Sequence, residues 1–67
     1  DPPNKTVDAI TVKGFLDTVK GEGASRGIMI TTGYFEDKAI NLIDEEPVEL
    51  VNVVDFVSYL KKFGIYE

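Results

Sequence analysis

The run Ile28-Met29-Ile30, closed by Gly27 on one side and Thr31-Thr32-Gly33 on the other, constrains this chain more than any other stretch. Consecutive apolar residues between glycine boundaries, with β-branched Ile and Thr, read as a strand. No polar position alternates within the run, so both faces of the strand are expected to be covered, as at the centre of a parallel sheet. Such a strand needs a neighbour on each edge. A chain of 67 residues has little to supply them. A domain of about 60 residues buries only about 60% of its unfolded surface and is marginal.

The flanking patterns supply one neighbour. Residues 1–6 carry two of the three prolines and no periodicity, and read as an extended lead-in. From Val7 the pattern turns helical, with Val12, Phe15, Leu16 and Val19 at i, i+3, i+4 and i+7. Asp8 or Thr6 can cap this helix, and Gly21 and Gly23 stop it. Gly14 in its middle costs up to about 1 kcal/mol relative to Ala, and is read as a place where another element passes close. After the strand, Gly33-Tyr34 makes a turn. Phe35, Ala39, Leu42 and Ile43 then define a second helix, ended by Pro47. Val48-Glu49-Leu50-Val51 is a second strand near a sheet edge, and Asn52-Val53-Val54-Asp55 opens a third helix like a capping box. Its apolar face is Val53, Phe56, Val57, Leu60 and Phe63, and Gly64 suits its C-terminal cap.

The order is α–β–α–β–α, an α/β arrangement with two parallel strands joined by a right-handed crossover. Residues 7–67 form a single α/β domain, and a partial one. The Ile28–Ile30 strand has Val48–Val51 on one edge and nothing in this sequence for the other. The chain opens Asp1-Pro2-Pro3, and its one Met is Met29. Both features lead to the expectation that it is a piece of something larger. A missing N-terminal half or a second copy would complete the sheet.

Composition removes several functions. There is no Cys and no His, so disulfides, Cys/His zinc sites and histidine bases are excluded. The net charge of −5 disfavours a polyanion-binding tail. No apolar run reaches the roughly 18 residues of a membrane span, and no secretory leader opens the chain. The expected location is cytoplasmic, in keeping with the absence of Cys.

Three groups of residues bear on chemistry. Thr31, Thr32 and Gly33 end a parallel strand and precede a helix, where α/β folds place ligands and helix N–H groups hold anions. The plainer reading is a strand–helix turn, with Thr32 as a cap and Gly33 supplying an unusual dihedral. Glu36 and Asp37 would repel a phosphate, and no P-loop pattern is present. Lys13 and Lys20 share a helix face flanked by Lys5 and Arg26, a stripe that could follow a phosphate backbone. Asp17 sits between them at pairing distance, so an exposed salt-laced face is the alternative. Asp44-Glu45-Glu46 with Glu49 suggests a divalent cation or, more simply, a solvated helix end. No catalytic residue and no metal site is assigned.

The stretch from Val12 to Gly64 resembles the C-terminal half of an Mrr-like (type IV restriction endonuclease) catalytic domain. The resemblance rests on Phe15-Leu16, on Gly21-Glu22-Gly23-Ala24-Ser25-Arg26-Gly27, and above all on Ile28-Met29-Ile30-Thr31-Thr32-Gly33-Tyr34-Phe35. Ala39 matches a small helix residue. Asn52-Val53-Val54 stands where the family has Asp-Gly-Glu, a departure from its pattern. The resemblance implies part of a restriction-endonuclease-like fold from a Mg²⁺-dependent DNA nuclease. It also implies that the catalytic Asp and Gln/Glu-x-Lys lie before the first helix, so this chain has no cofactor of its own and does not cleave DNA alone. DNA is then a partner of the parent protein. Thr31, Thr32, Gly33, Lys13, Lys20 and Arg26 are the residues expected to contact DNA or an anion. Two alternatives stand beside this reading. One is a non-catalytic module for oligomerisation or DNA docking, and the other a small-anion module at Thr31-Thr32-Gly33.

Overall fold

The computed structural model describes residues 5–64. The elements are β1 (Thr6–Val7), α1 (Ala9–Gly21), β2 (Gly27–Ile30), β3 (Tyr34–Phe35), α2 (Asp37–Leu42), β4 (Val48–Val51) and α3 (Val53–Lys62). The chain is α/β, with helices alternating with short parallel strands. β2 pairs with β4 in parallel, from Gly27↔Val48 to Ile30↔Val51. β1 pairs with β3, Thr6↔Tyr34 and Val7↔Phe35, in a second parallel ladder.

This second ladder corrects the pattern reading at two places. Thr6 and Val7 are strand, not lead-in and helix, and Tyr34 and Phe35 are strand, not turn and helix start, so α2 begins only at Asp37. Two-residue strands carry no periodicity of their own, so only the long-range pairing reveals them. Residues 1–4 and the tail after Gly64 lie outside the described residues.

Local chemistry explains the helix boundaries. Asp8 accepts from the Thr11 N–H at 2.9 Å and caps α1. That helix ends in a Schellman turn, in which the N–H groups of Gly23 and Ala24 donate to the Lys20 and Val19 carbonyls. Gly23 takes the required left-handed conformation at φ 71°. Asn52 caps α3 by accepting from the Asp55 N–H at 2.9 Å. At α2 the cap position is Glu36, which makes no side-chain cap bond to its own helix. Its carboxylate instead accepts the Ala9 N–H at 2.9 Å, across 27 residues, at the start of α1.

α1 and α2 cover one face of the β2–β4 pair. Val12, Phe35 and Ala39 form one buried cluster, joined by Met29 and Leu50. Leu16, Val19 and Val48 form the other, joined by Phe15, Ile43 and Leu50. Each fully buried side chain of this size stabilises by about 1.5–3 kcal/mol, so these few residues carry most of the fold. α3 lies on the opposite face, and none of its residues is buried. Phe56 and Leu60 are half-buried; of the other residues expected on its apolar face, Val57 is 36% exposed and Phe63 is 63% exposed.

The expectation that both faces of β2 are covered is corrected. Gly27 and Met29 face α1, but Ile28 and Ile30 are 53% and 55% exposed on the α3 side. Gly14 is also corrected: a Cβ there meets nothing within 4 Å. Gly27 is a true close approach, because a Cβ there would strike Val19 and come within 3.0 Å of the Phe15 ring.

Candidate functional site

The C-terminal ends of β2 and β4 meet the start of β1 at Gly33. Thr31 continues the ladder, its N–H donating to the Val51 carbonyl at 3.0 Å. Its hydroxyl then accepts the Gly33 N–H at 3.0 Å, which bends the chain out of the strand. The Gly33 carbonyl accepts from the Val53 N–H at 3.1 Å, and the Lys5 carbonyl accepts from the Tyr34 N–H at 2.9 Å. A Cβ on Gly33 would sit 2.8 Å from the Lys5 carbonyl carbon and nearer still to its oxygen. Gly33 is therefore required for close backbone approach. Its φ is not positive, so the expected unusual dihedral is not its role.

This geometry limits what the turn can bind. The Gly33 N–H is already taken by Thr31. In the first turn of α3, the Val53 N–H is taken by Gly33 and the Asp55 N–H by Asn52. The carboxylate of Asp55 also lies in that turn, where it opposes an incoming anion. Thr31 is half-buried and Thr32 is exposed. Thr32 caps no helix, because α2 begins after Glu36.

The three candidate cations do not converge. Lys13 pairs with Asp17 at 3.0 Å along the exposed side of α1. Lys20, on the same helix, pairs with Glu46 at 3.0 Å in the turn before β4. Arg26 pairs with Glu49, which faces the α3 side of the sheet and also accepts from the Tyr59 hydroxyl at 3.5 Å. The lysines and the arginine thus serve opposite faces, and each is matched by a carboxylate. A phosphate would have to displace these carboxylates before the cations could neutralise it. The same pairings take Glu46 and Glu49 out of the acidic run. Among the described residues no three acidic side chains converge as a metal site would require.

One titratable group is clearly shifted. The Asp8 carboxyl is held below its ordinary value by hydrogen bonds from Thr11, side chain first and then backbone. That shift belongs to helix capping. Residue patterns missed the roles of Lys5 and Glu36, which hold distant segments together. Lys5 acts through its carbonyl, which carries no sequence signal, and Glu36 through a partner far along the chain. The short β3 that aims Glu36 at α1 is equally silent in the pattern.

A family model described as restriction endonuclease, that of the Mrr catalytic domain, matches residues 2–60. No curated protein and no solved structure matches.

Proposed function

The chain belongs to the Mrr-type restriction endonuclease family, and on that premise we propose that it is the C-terminal portion of a DNA endonuclease domain whose catalytic strands lie upstream. The observation that carries this reading is the edge of β2 away from β4, which pairs with no strand among the described residues. The ladder bonds from Gly27 to Pro47 and from Thr31 to Val51 turn the odd-numbered backbone groups of β2 toward β4. Ile28 and Ile30 therefore turn theirs outward, beside two side chains that are more than half exposed. A strand supplied by the rest of the domain, or by a second copy, would pair there and cover them.

In this reading the catalytic Asp and Gln/Glu-x-Lys belong to that absent segment, and the chain alone does not cleave DNA. A Mg²⁺ ion is implied for a complete family member. The described residues do not fit it, since their carboxylates are dispersed and Glu46 and Glu49 are held by Lys20 and Arg26. Thr31 and Thr32, at the strand end, are the positions offered toward nucleic acid. Gly33 places them, and Lys13, Lys20 and Arg26 contribute only where DNA displaces their carboxylate partners. The parent enzyme would work in the cytoplasm.

Two measurements test this. The coding sequence upstream of Asp1 should contain an Asp followed by a Gln/Glu-x-Lys strand, and its absence would sink the reading. The isolated chain should leave duplex DNA intact in Mg²⁺, with weak binding that fades as salt rises. Cleavage by the purified chain would place the active site within it and refute the assignment. The alternative of a non-catalytic interaction module is favoured by one observation, the outer edge of β4, which likewise pairs with no strand among the described residues.

A further inference from the structure

We propose that the outer edge of β4 is a docking site for an extended peptide segment, apolar on one side and basic on the other. This inference goes beyond the nuclease reading, which concerns the opposite edge of the sheet.

The ladder that turns Ile28 and Ile30 outward on β2 does the same on β4. Pro47 and Val51 give their carbonyls to β2, and Glu49 lies between them at the same parity. Val48 and Leu50 therefore direct their N–H and C=O groups away from β2. They face a cleft of about 550 Å³ between β4 and the β3–α2 segment. Exposed strand edges are ordinarily blunted by charged side chains, Lys above all, by Pro or by a bulge; within β4 there is no Lys or Pro, its register with β2 is unbroken, and its one charge, Glu49, is held by Arg26. Strand addition uses such an edge, with main-chain bonds for affinity and alternate side-chain sites for selectivity.

The two sides of the cleft differ, and the difference defines the occupant. On the α2 side its lining is Tyr34, Ile40, Ile43 and Leu50. Tyr34 and Ile40 form the lip and are 44% and 49% exposed. On the α3 side the lining is Asp55, together with Glu49, whose carboxylate Arg26 already holds. No Lys or Arg lines the cleft, and the turn leading into it is Asp44-Glu45-Glu46. Among the described residues Asp44, Glu45 and Asp55 have no cationic partner. A strand added to β4 sends successive side chains to opposite faces. One set would meet the apolar lip and the other the carboxylates. An alternating apolar–basic strand fits both, whereas a phosphate backbone meets only negative charge.

The test is amide chemical-shift mapping of the full chain, titrated with a short synthetic peptide of alternating Val and Lys. The expected result is saturable shifts centred on Val48, Leu50 and Asn52 with Tyr34 and Ile40. Affinity should fall about tenfold or more when Glu replaces Lys in the peptide. It should fall similarly in the variant Ile40→Lys, whose exposed position leaves the core intact. Five outcomes overturn the proposal: no shifts at millimolar peptide; shifts centred on Ile28 and Ile30; equal response to the Glu peptide; the same residues responding instead to duplex DNA; or their involvement in self-association without peptide.

Discussion

Gly33→Ala is the substitution that should damage this fold most for the atoms it adds. One methyl group would be placed 2.8 Å from the Lys5 carbonyl carbon and 3.2 Å from the Lys5 nitrogen. These are backbone atoms, so no side-chain rotation relieves the clash. Either the β1 segment or the Thr31–Gly33 turn must move. Two hydrogen bonds then suffer, Tyr34 N–H to Lys5 at 2.9 Å and Val53 N–H to Gly33 at 3.1 Å. At about 1 kcal/mol each they contribute about 2 kcal/mol. Overpacking adds about 1–3 kcal/mol, for a total of about 3–5 kcal/mol. A domain of this size has only about 3–10 kcal/mol in all. Urea unfolding followed by far-ultraviolet circular dichroism measures the loss. With a slope near 1 kcal/mol per molar, the midpoint should fall by about 3 M or more, or the native baseline should vanish. Gly14→Ala is the internal control. A Cβ there meets nothing within 4 Å, so the helix should gain up to about 1 kcal/mol. A Gly33→Ala midpoint within about 0.5 M of the parent, or a Gly14→Ala variant just as destabilised, would refute the reasoning.

Other expectations follow from the same contacts. Gly27→Ala should cost about 1–3 kcal/mol, less than Gly33→Ala, because the new methyl meets the side chains of Val19 and Phe15 rather than backbone; the same urea series ranks the three glycines. Asn52→Ala should cost about 1 kcal/mol and speed hydrogen exchange at the Asp55 amide, which loses its cap. Since the Asp8 carboxyl is depressed in the folded state, its capping contribution is complete above the ordinary carboxylate pKa of about 4 and is lost as pH falls through the lowered value. Unfolding midpoints measured across that acid window should drop more for the parent than for Asp8→Asn. Arg26→Ala should change stability by less than about 1 kcal/mol, because the Arg26–Glu49 pair is partly exposed, and salt should erase the difference.

The parts of the fold legible in the residues were those with local periodicity or turn chemistry. The α1 stripe of Val12, Leu16 and Val19 is buried as its spacing requires. The β2–β4 crossover and the Asn52 cap are likewise where glycine, proline and Asn boundaries place them. The β1–β3 ladder was not legible, because two-residue strands exist only through each other. Gly14 and Gly33 show the same limit from another side. Both are glycines without a positive φ, and only the distant Lys5 backbone tells the crowded one from the open one. At the candidate site, the Lys13–Asp17 pair followed from helical spacing. The partners of Lys20 and Arg26 came from the turn before β4 and from β4 itself, which no spacing along the sequence specifies.

The carboxylate of Glu36 has a consequence for how the structure opens. The first amides of a helix have no carbonyl partner within it and ordinarily exchange with solvent readily. At Ala9 that amide is bonded to a side chain carried at the end of β3. Its exchange rate therefore reports whether β3 is docked on α1 rather than whether α1 is coiled. A helix that stays formed while the β1–β3 ladder detaches would show a fast Ala9 amide beside slow mid-helix amides. If opening is cooperative, the Ala9 amide exchanges as slowly as the mid-helix amides. One amide thus separates partial detachment from global unfolding in a chain this small.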